Sequence, residues 1–93
     1  MKVEIKDGKT IVDCENTNGV IYPPNKCVGV VSFINCKNIV GVEFDIATKI
    51  FELDTSNLPQ LKYINIQHTK VKELCVKDRC MVYCKNDVVI KRF

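Results

Sequence analysis

The 93-residue chain has no tryptophan, one histidine (His68) and only two arginines, Arg79 and Arg92. A single histidine excludes multi-histidine metal sites and leaves little room for imidazole-based catalysis. Four glycines form neither a G-x-G-x-x-G nor a P-loop pattern, which removes the common phosphate cradles. No run of Lys or Arg occurs, and 14 basic residues stand against 11 acidic ones for a net charge of +3. Nucleic-acid binders cluster their basic residues, so no nucleic-acid partner is expected. The opening Met1-Lys-Val-Glu-Ile-Lys is broken by charge throughout, and no apolar stretch reaches the roughly 18–20 residues of a membrane span. The expectation is a cytoplasmic chain with no membrane partner.

What is present is enough for one folded domain. The hydrophobic fraction is 46% and the charged fraction 27%, ordinary values that argue against disorder. A domain of this size buries only about 60–65% of its unfolded surface, so the core is thin. Val3-Glu-Ile5-Lys-Asp7-Gly8-Lys-Thr-Ile11-Val12 reads as a β-hairpin, because Asp-Gly between alternating runs is a strong tight-turn signal.

The stretch 58–74 carries the clearest pattern. Leu58, Leu61, Ile64, Ile66, Val71 and Leu74 fall at relative positions 1, 4, 7, 9, 14 and 17, with the small polar Thr69 at 12. That spacing has neither the period of a helix nor that of a plain strand. It resembles one unit of a leucine-rich repeat, L-x-x-L-x-L-x-x-N/C-x-L. Weaker copies recur at a period of 22, through Val20, Val42 and Ile64, through Cys14, Cys36 and Leu58, and through Ile39 and Leu61. Asn25 and Thr48 stand at the polar corners of the earlier copies, and a shorter fourth copy starts at Val82. The resemblance implies a mainly β, short solenoid with a parallel sheet and little helix. A hairpin cap occupies 1–14, repeat rungs 15–74, and a β cap or last rung 75–93. One short convex turn of helix is expected within 50–57.

Six cysteines, Cys14, Cys27, Cys36, Cys75, Cys80 and Cys84, invite three readings. Without a secretory leader, reduced buried thiols are preferred over disulfides, and a metal site comes last. The metal reading rests on Cys75-x4-Cys80-x3-Cys84, a looser spacing than zinc knuckles use. No metal or other cofactor is therefore expected.

Leucine-rich-repeat proteins work by presenting a surface, so the resemblance implies a non-enzymatic module that binds a protein or peptide on its concave sheet. If Val20 and Tyr22, Val42 and Phe44, and Ile64 and Ile66 point inward, their neighbours point out. Those neighbours are Gly19, Ile21 and Pro23; Gly41, Glu43 and Asp45; Tyr63, Asn65 and Gln67; then Met81, Tyr83 and Lys85. The candidate contact residues are Glu43, Asp45, Tyr63, Asn65, Gln67, Met81 and Tyr83, aromatic and polar types suited to interfaces. Gly19 and Gly41 should leave a shallow hollow beside Tyr63. A second copy is a further possible partner, since open strand edges pair. The alternative function is a small cysteine-based metal or redox domain centred on Cys75, Cys80 and Cys84.

Overall fold

The computed structural model describes residues 1–93. It contains ten strands and no helix: β1 (Lys2–Lys6), β2 (Lys9–Asp13), β3 (Gly19–Ile21), β4 (Gly29–Ile34), β5 (Ile39–Glu43), β6 (Ile50–Leu53), β7 (Tyr63–Asn65), β8 (Glu73–Val76), β9 (Met81–Tyr83) and β10 (Val89–Arg92). The hairpin forms as expected, with β1 antiparallel to β2. Asp7 and Gly8 have φ of 53° and 73°, the paired positive values of a type I′ turn, whose twist suits a two-residue connection. The positive-φ Gly29 lies beneath this turn, and the Gly8 carbonyl occupies the space a Cβ there would need. Only glycine allows the hairpin to sit so close to the first rung.

From β3 onward the chain winds as a β-solenoid of four rungs, residues 19–34, 39–53, 63–76 and 81–92. Each rung gives one strand to each of two walls. The first wall is the parallel sheet β3-β5-β7-β9. The second begins as β1-β2-β4-β6 and passes to the parallel pair β10-β8. Between β6 and β8 the link is looser: the Lys70 N–H donates to the Ile50 carbonyl at 2.8 Å and the Thr55 hydroxyl to the Cys75 carbonyl at 2.6 Å.

The mainly β solenoid expected from the repeat pattern is therefore the fold, with two differences of detail. There are two parallel walls where one sheet was expected. The stretch 50–57 holds strand β6 and not a helical turn, because Ile50 and Leu53 are needed inside while Phe51 and Glu52 face out across a bulge. Of the two alternatives for the C-terminal segment, residues 81–92 form a last rung, parallel to the one before.

The core lies between the walls. Val42 and Ile64 from the first wall and Val12, Val31 and Phe33 from the second are completely buried. At the corners, hydroxyls satisfy the backbone that the strands leave unpaired. Buried Thr69 donates to the Ile66 carbonyl at 2.8 Å and accepts from the Val71 N–H at 3.2 Å, the role the repeat pattern assigns it. Asn25 and Thr48, by contrast, are exposed, and Ala47 occupies the place beside Thr69 in the rung before. Thr10, fully buried, donates to the Val28 carbonyl at 2.8 Å and accepts from the Val28 N–H at 2.9 Å.

Cys14 and Cys36 form a disulfide, against the expectation of reduced thiols at these two positions. The repeat supplies the reason. Residues 22 apart at the ends of adjacent strands β2 and β4 stack, which brings their Cα atoms to 5.1 Å, within disulfide reach. Cys27, Cys75, Cys80 and Cys84 are free.

Candidate functional site

The outer face of the β3-β5-β7-β9 sheet gathers the expected residues in columns. Gly41, Tyr63 and Met81 are in register, as are Glu43, Asn65 and Tyr83. Asp45 and Gln67 lie exposed just beyond their strands, with Lys85 at the same corner of the last rung. All seven candidate residues are thus on this side. Two walls per rung mean that the face is one outer wall of a stack, not the concave inside of a horseshoe.

The first rung is out of step with the expected assignment. Ile21 and Pro23, expected outside, are buried, and Tyr22, expected inside, is 64% exposed. A bulge between Gly19 and Val20 puts Val20 beside Gly41 and Ile21 beside Val42, so the spacing there is 21 and not 22. Gly19 therefore does not share the Gly41 column. The signal for the true phase was a column of β-branched residues, Ile21, Val42, Ile64 and Val82. The shift adds Tyr22 to the face, so all three tyrosines of the chain stand on it.

Tyr63 is the centre of the arrangement. Its ring lies across Gly41 of the neighbouring strand, where a Cβ would collide with it. The hollow expected beside Tyr63 is thus filled by Tyr63 itself. The phenol donates a hydrogen bond to Glu43 Oε2 at 3.1 Å. Tyr83 meets the Tyr63 ring edge-to-face, with centroids 6.3 Å apart and planes at 85°, a favoured aromatic geometry. Asn65 turns its side chain back to accept the Gln67 N–H at 3.0 Å, which fixes the corner. Around this ordered centre, Met81 (58% exposed) and Tyr83 (45%) leave apolar surface open.

Burial of the phenol, followed by the hydrogen bond and charge of Glu43, raises the Tyr63 pKa above the ordinary 10.0. A raised acid pKa in the folded state means that the protonated form is the stabilised one. The contribution is whole below the unfolded value and is lost as pH rises through the folded one. In an ultraviolet titration of the phenols, we expect a step above pH 10.0 that Tyr63→Phe abolishes. Gly41→Ala, by pushing the ring off Glu43, should move the same step down; a step that stays in place in Gly41→Ala would show that the bond does not set it.

The alternative centre does not assemble. Cys75 points outward on β8, on the opposite wall from the tyrosines, while Cys80 is buried and Cys84 half-buried. No three His, Cys, Asp or Glu side chains come close enough together to share a metal ion. Burial raises the Cys80 and Cys27 thiol pKa values, so neither is primed as a thiolate. His68 is exposed at its corner, where its carbonyl accepts the Ala47 N–H at 3.0 Å. A depression lined by Thr55, Leu58, Pro59, Val76 and Phe93 holds about 90 Å³, and four larger hollows of about 420–510 Å³ lie open to solvent on the surface. No family model, curated protein or solved structure matches the chain.

Proposed function

We propose that the chain is a non-enzymatic interaction module that takes a protein or peptide on the outer face of the β3-β5-β7-β9 sheet. The observation that carries this reading is the collection of all three tyrosines and Met81 around Glu43 on one wall. Tyrosine offers large contact area for few lost rotamers and dominates interface hot spots. Tyr63 is held in place before any partner arrives, so its ordering costs nothing on binding. Glu43 and Asp45 make the centre acidic while the rings present their faces. That combination suits a segment with an arginine or lysine, which gains both charge pairing and cation–π contact. The resemblance to leucine-rich repeats supports the same assignment.

The test compares wild type with Tyr22→Ala/Tyr83→Ala in affinity capture from host lysate, followed by titration of the captured protein's binding segment. Both substituted rings are exposed enough for the fold to survive, which circular dichroism checks. Two hot-spot aromatics at about 2 kcal/mol each correspond to about a thousandfold loss of affinity. Equal affinity for both proteins would remove the face from consideration.

A further inference from the structure

The two ends of the solenoid differ. At the N-terminal end the second wall is closed: hairpin strand β1 covers β2, and Thr10, Val12 and Cys14 beneath are fully buried, while β3 forms the edge of the first wall. Its edge carries Lys2, Glu4 and Lys6, the alternating charges that discourage edge pairing. At the C-terminal end nothing covers the last rung, because β9 and β10 are the final strands of their walls. Val82 and Ile90 are only half-buried, while Ile64 and Leu74, their register partners one rung back, are 0% and 1% exposed. Half-buried Cys84 and Val88 complete this apolar end. Repeat proteins ordinarily close such an end with a polar cap.

The backbone at this end is also unspent. The Met81 N–H donates to Lys62, the Tyr83 carbonyl accepts from Ile66, and the Val89 N–H donates to Lys72, all toward the preceding rung. Alternation along a strand then turns the N–H and C=O groups of Val82 and Ile90 toward the open side. Both walls therefore offer a free pairing edge in the same plane, with apolar side chains between them.

We propose that this end is a homodimer interface, in which two copies meet end to end about a two-fold axis normal to the walls. Each edge strand pairs antiparallel with its own copy, β9 with β9 and β10 with β10, so both walls run on across the junction. The symmetry matches like with like, as an isologous contact requires. It also sets the corner of Lys77, Asp78 and Arg79, on which the Arg92 guanidinium also sits, beside the corner of Lys85 and Asp87 of the second copy, two net positive charges against none, so no like-charge block opposes it. The molecule measures 30 × 25 × 19 Å, so any end face spans about 500–750 Å² per copy, near the lower range for a specific interface. A dimer that forms and dissociates with concentration is the expected strength. This interface stands independently of what the tyrosine face binds.

Sedimentation equilibrium tests it, in a Cys75→Ser/Cys84→Ser background that takes intermolecular disulfides out of the reading. Between about 10 μM and 1 mM, where a small interface of this size should titrate, the mass should rise from 10.6 kDa toward twice that and stop. Val82→Pro removes an N–H that the monomer does not use and should hold the mass at one chain. Ile90→Lys, a charge at the half-open end, should do the same and covers the case in which the proline variant fails to fold. A wild type that stays monomeric throughout overturns the proposal, as does a dimer that folded forms of both variants leave intact. Growth beyond two chains that Ile5→Lys on the hairpin abolishes would also overturn it, in favour of head-to-tail stacking.

Discussion

Phe33→Ala is expected to cost about 3–5 kcal/mol, the range for emptying a buried aromatic site. A domain of this length has a total stability of roughly 5–14 kcal/mol, so the loss takes a large share of the whole. The cause is position. Phe33 is completely buried on β4, the middle strand between β2 and β6, and points into the space between the walls. Its neighbours are held by their own ladders and cannot close over the gap. Even its backbone is tied down, since the Asn57 side-chain amide donates to the Phe33 carbonyl at 3.1 Å. Phe51, on the next strand of the same wall, is 63% exposed and supplies the control. Phe51→Ala should stay within about 0.5 kcal/mol of wild type. Urea unfolding of the three proteins measures the contrast; equal midpoints for the two variants would mean that the packing between the walls is not as described.

Breaking the Cys14–Cys36 bridge is expected to cost about 3 kcal/mol. The bond closes a loop of sequence separation 22, and the chain-entropy relation for a loop of that length gives about this value. Cys14→Ser/Cys36→Ser in wild-type surroundings, or wild type under reductant, should each lower the unfolding free energy by that amount and give the same curve as each other. Under denaturing, non-reducing conditions four thiols should react, and six after reduction. In the native protein exposed Cys75 should label first, with buried Cys27 and Cys80 protected until unfolding. Six thiols without reductant, in protein isolated with thiols blocked at lysis, would show the bridge open. Four would carry a consequence for location, because stable bridges form in oxidising compartments and the cytoplasm, the location expected from the sequence, is not one. No helix of this molecule is long and apolar enough to cross a membrane.

Much of the architecture was legible because local chemistry and repeat spacing pointed the same way. Asp7-Gly8 between alternating runs can hardly do anything but turn, and it does. A small hydroxyl among leucines has few uses other than to close a corner, and Thr69 does so. The second wall was hidden for a physical reason. Strand β6 is four residues with a bulge, so its buried residues fall at Ile50 and Leu53, a spacing of three that imitates a helical turn. Strand β4 did alternate, with Val31 and Phe33 inside and Ser32 and Ile34 outside, but the leucine-rich pattern drew attention to one strand per unit. Tyr22 was missed through the same trust in a fixed period, since one bulged residue reverses every side chain after it. The Cys14–Cys36 spacing was visible, and stacking of equivalent positions was the inference it contained. The columns Tyr63–Met81 and Glu43–Asn65–Tyr83 nevertheless fall in register, because they lie on rungs where the period holds.

The stapled N-terminal end and the open C-terminal end also set a direction for the molecule's motions. After the hairpin, each strand pairs only with strands one turn earlier or later, so rungs can be lost one at a time from an end without disturbing those beyond. The first rung is tied through β4 to the hairpin and the bridge, whereas the last rung has no such tether, so opening begins most readily at the C-terminal end. Opening should therefore travel backward like a zipper, with amide exchange fastest around β9 and β10, slower at β7 and β8, and slowest near the Cys14–Cys36 bridge, where release requires unfolding of the whole. Ordered assembly would run the other way, from the one strongly local pair, the β1–β2 hairpin, with each finished rung serving as the template for the next.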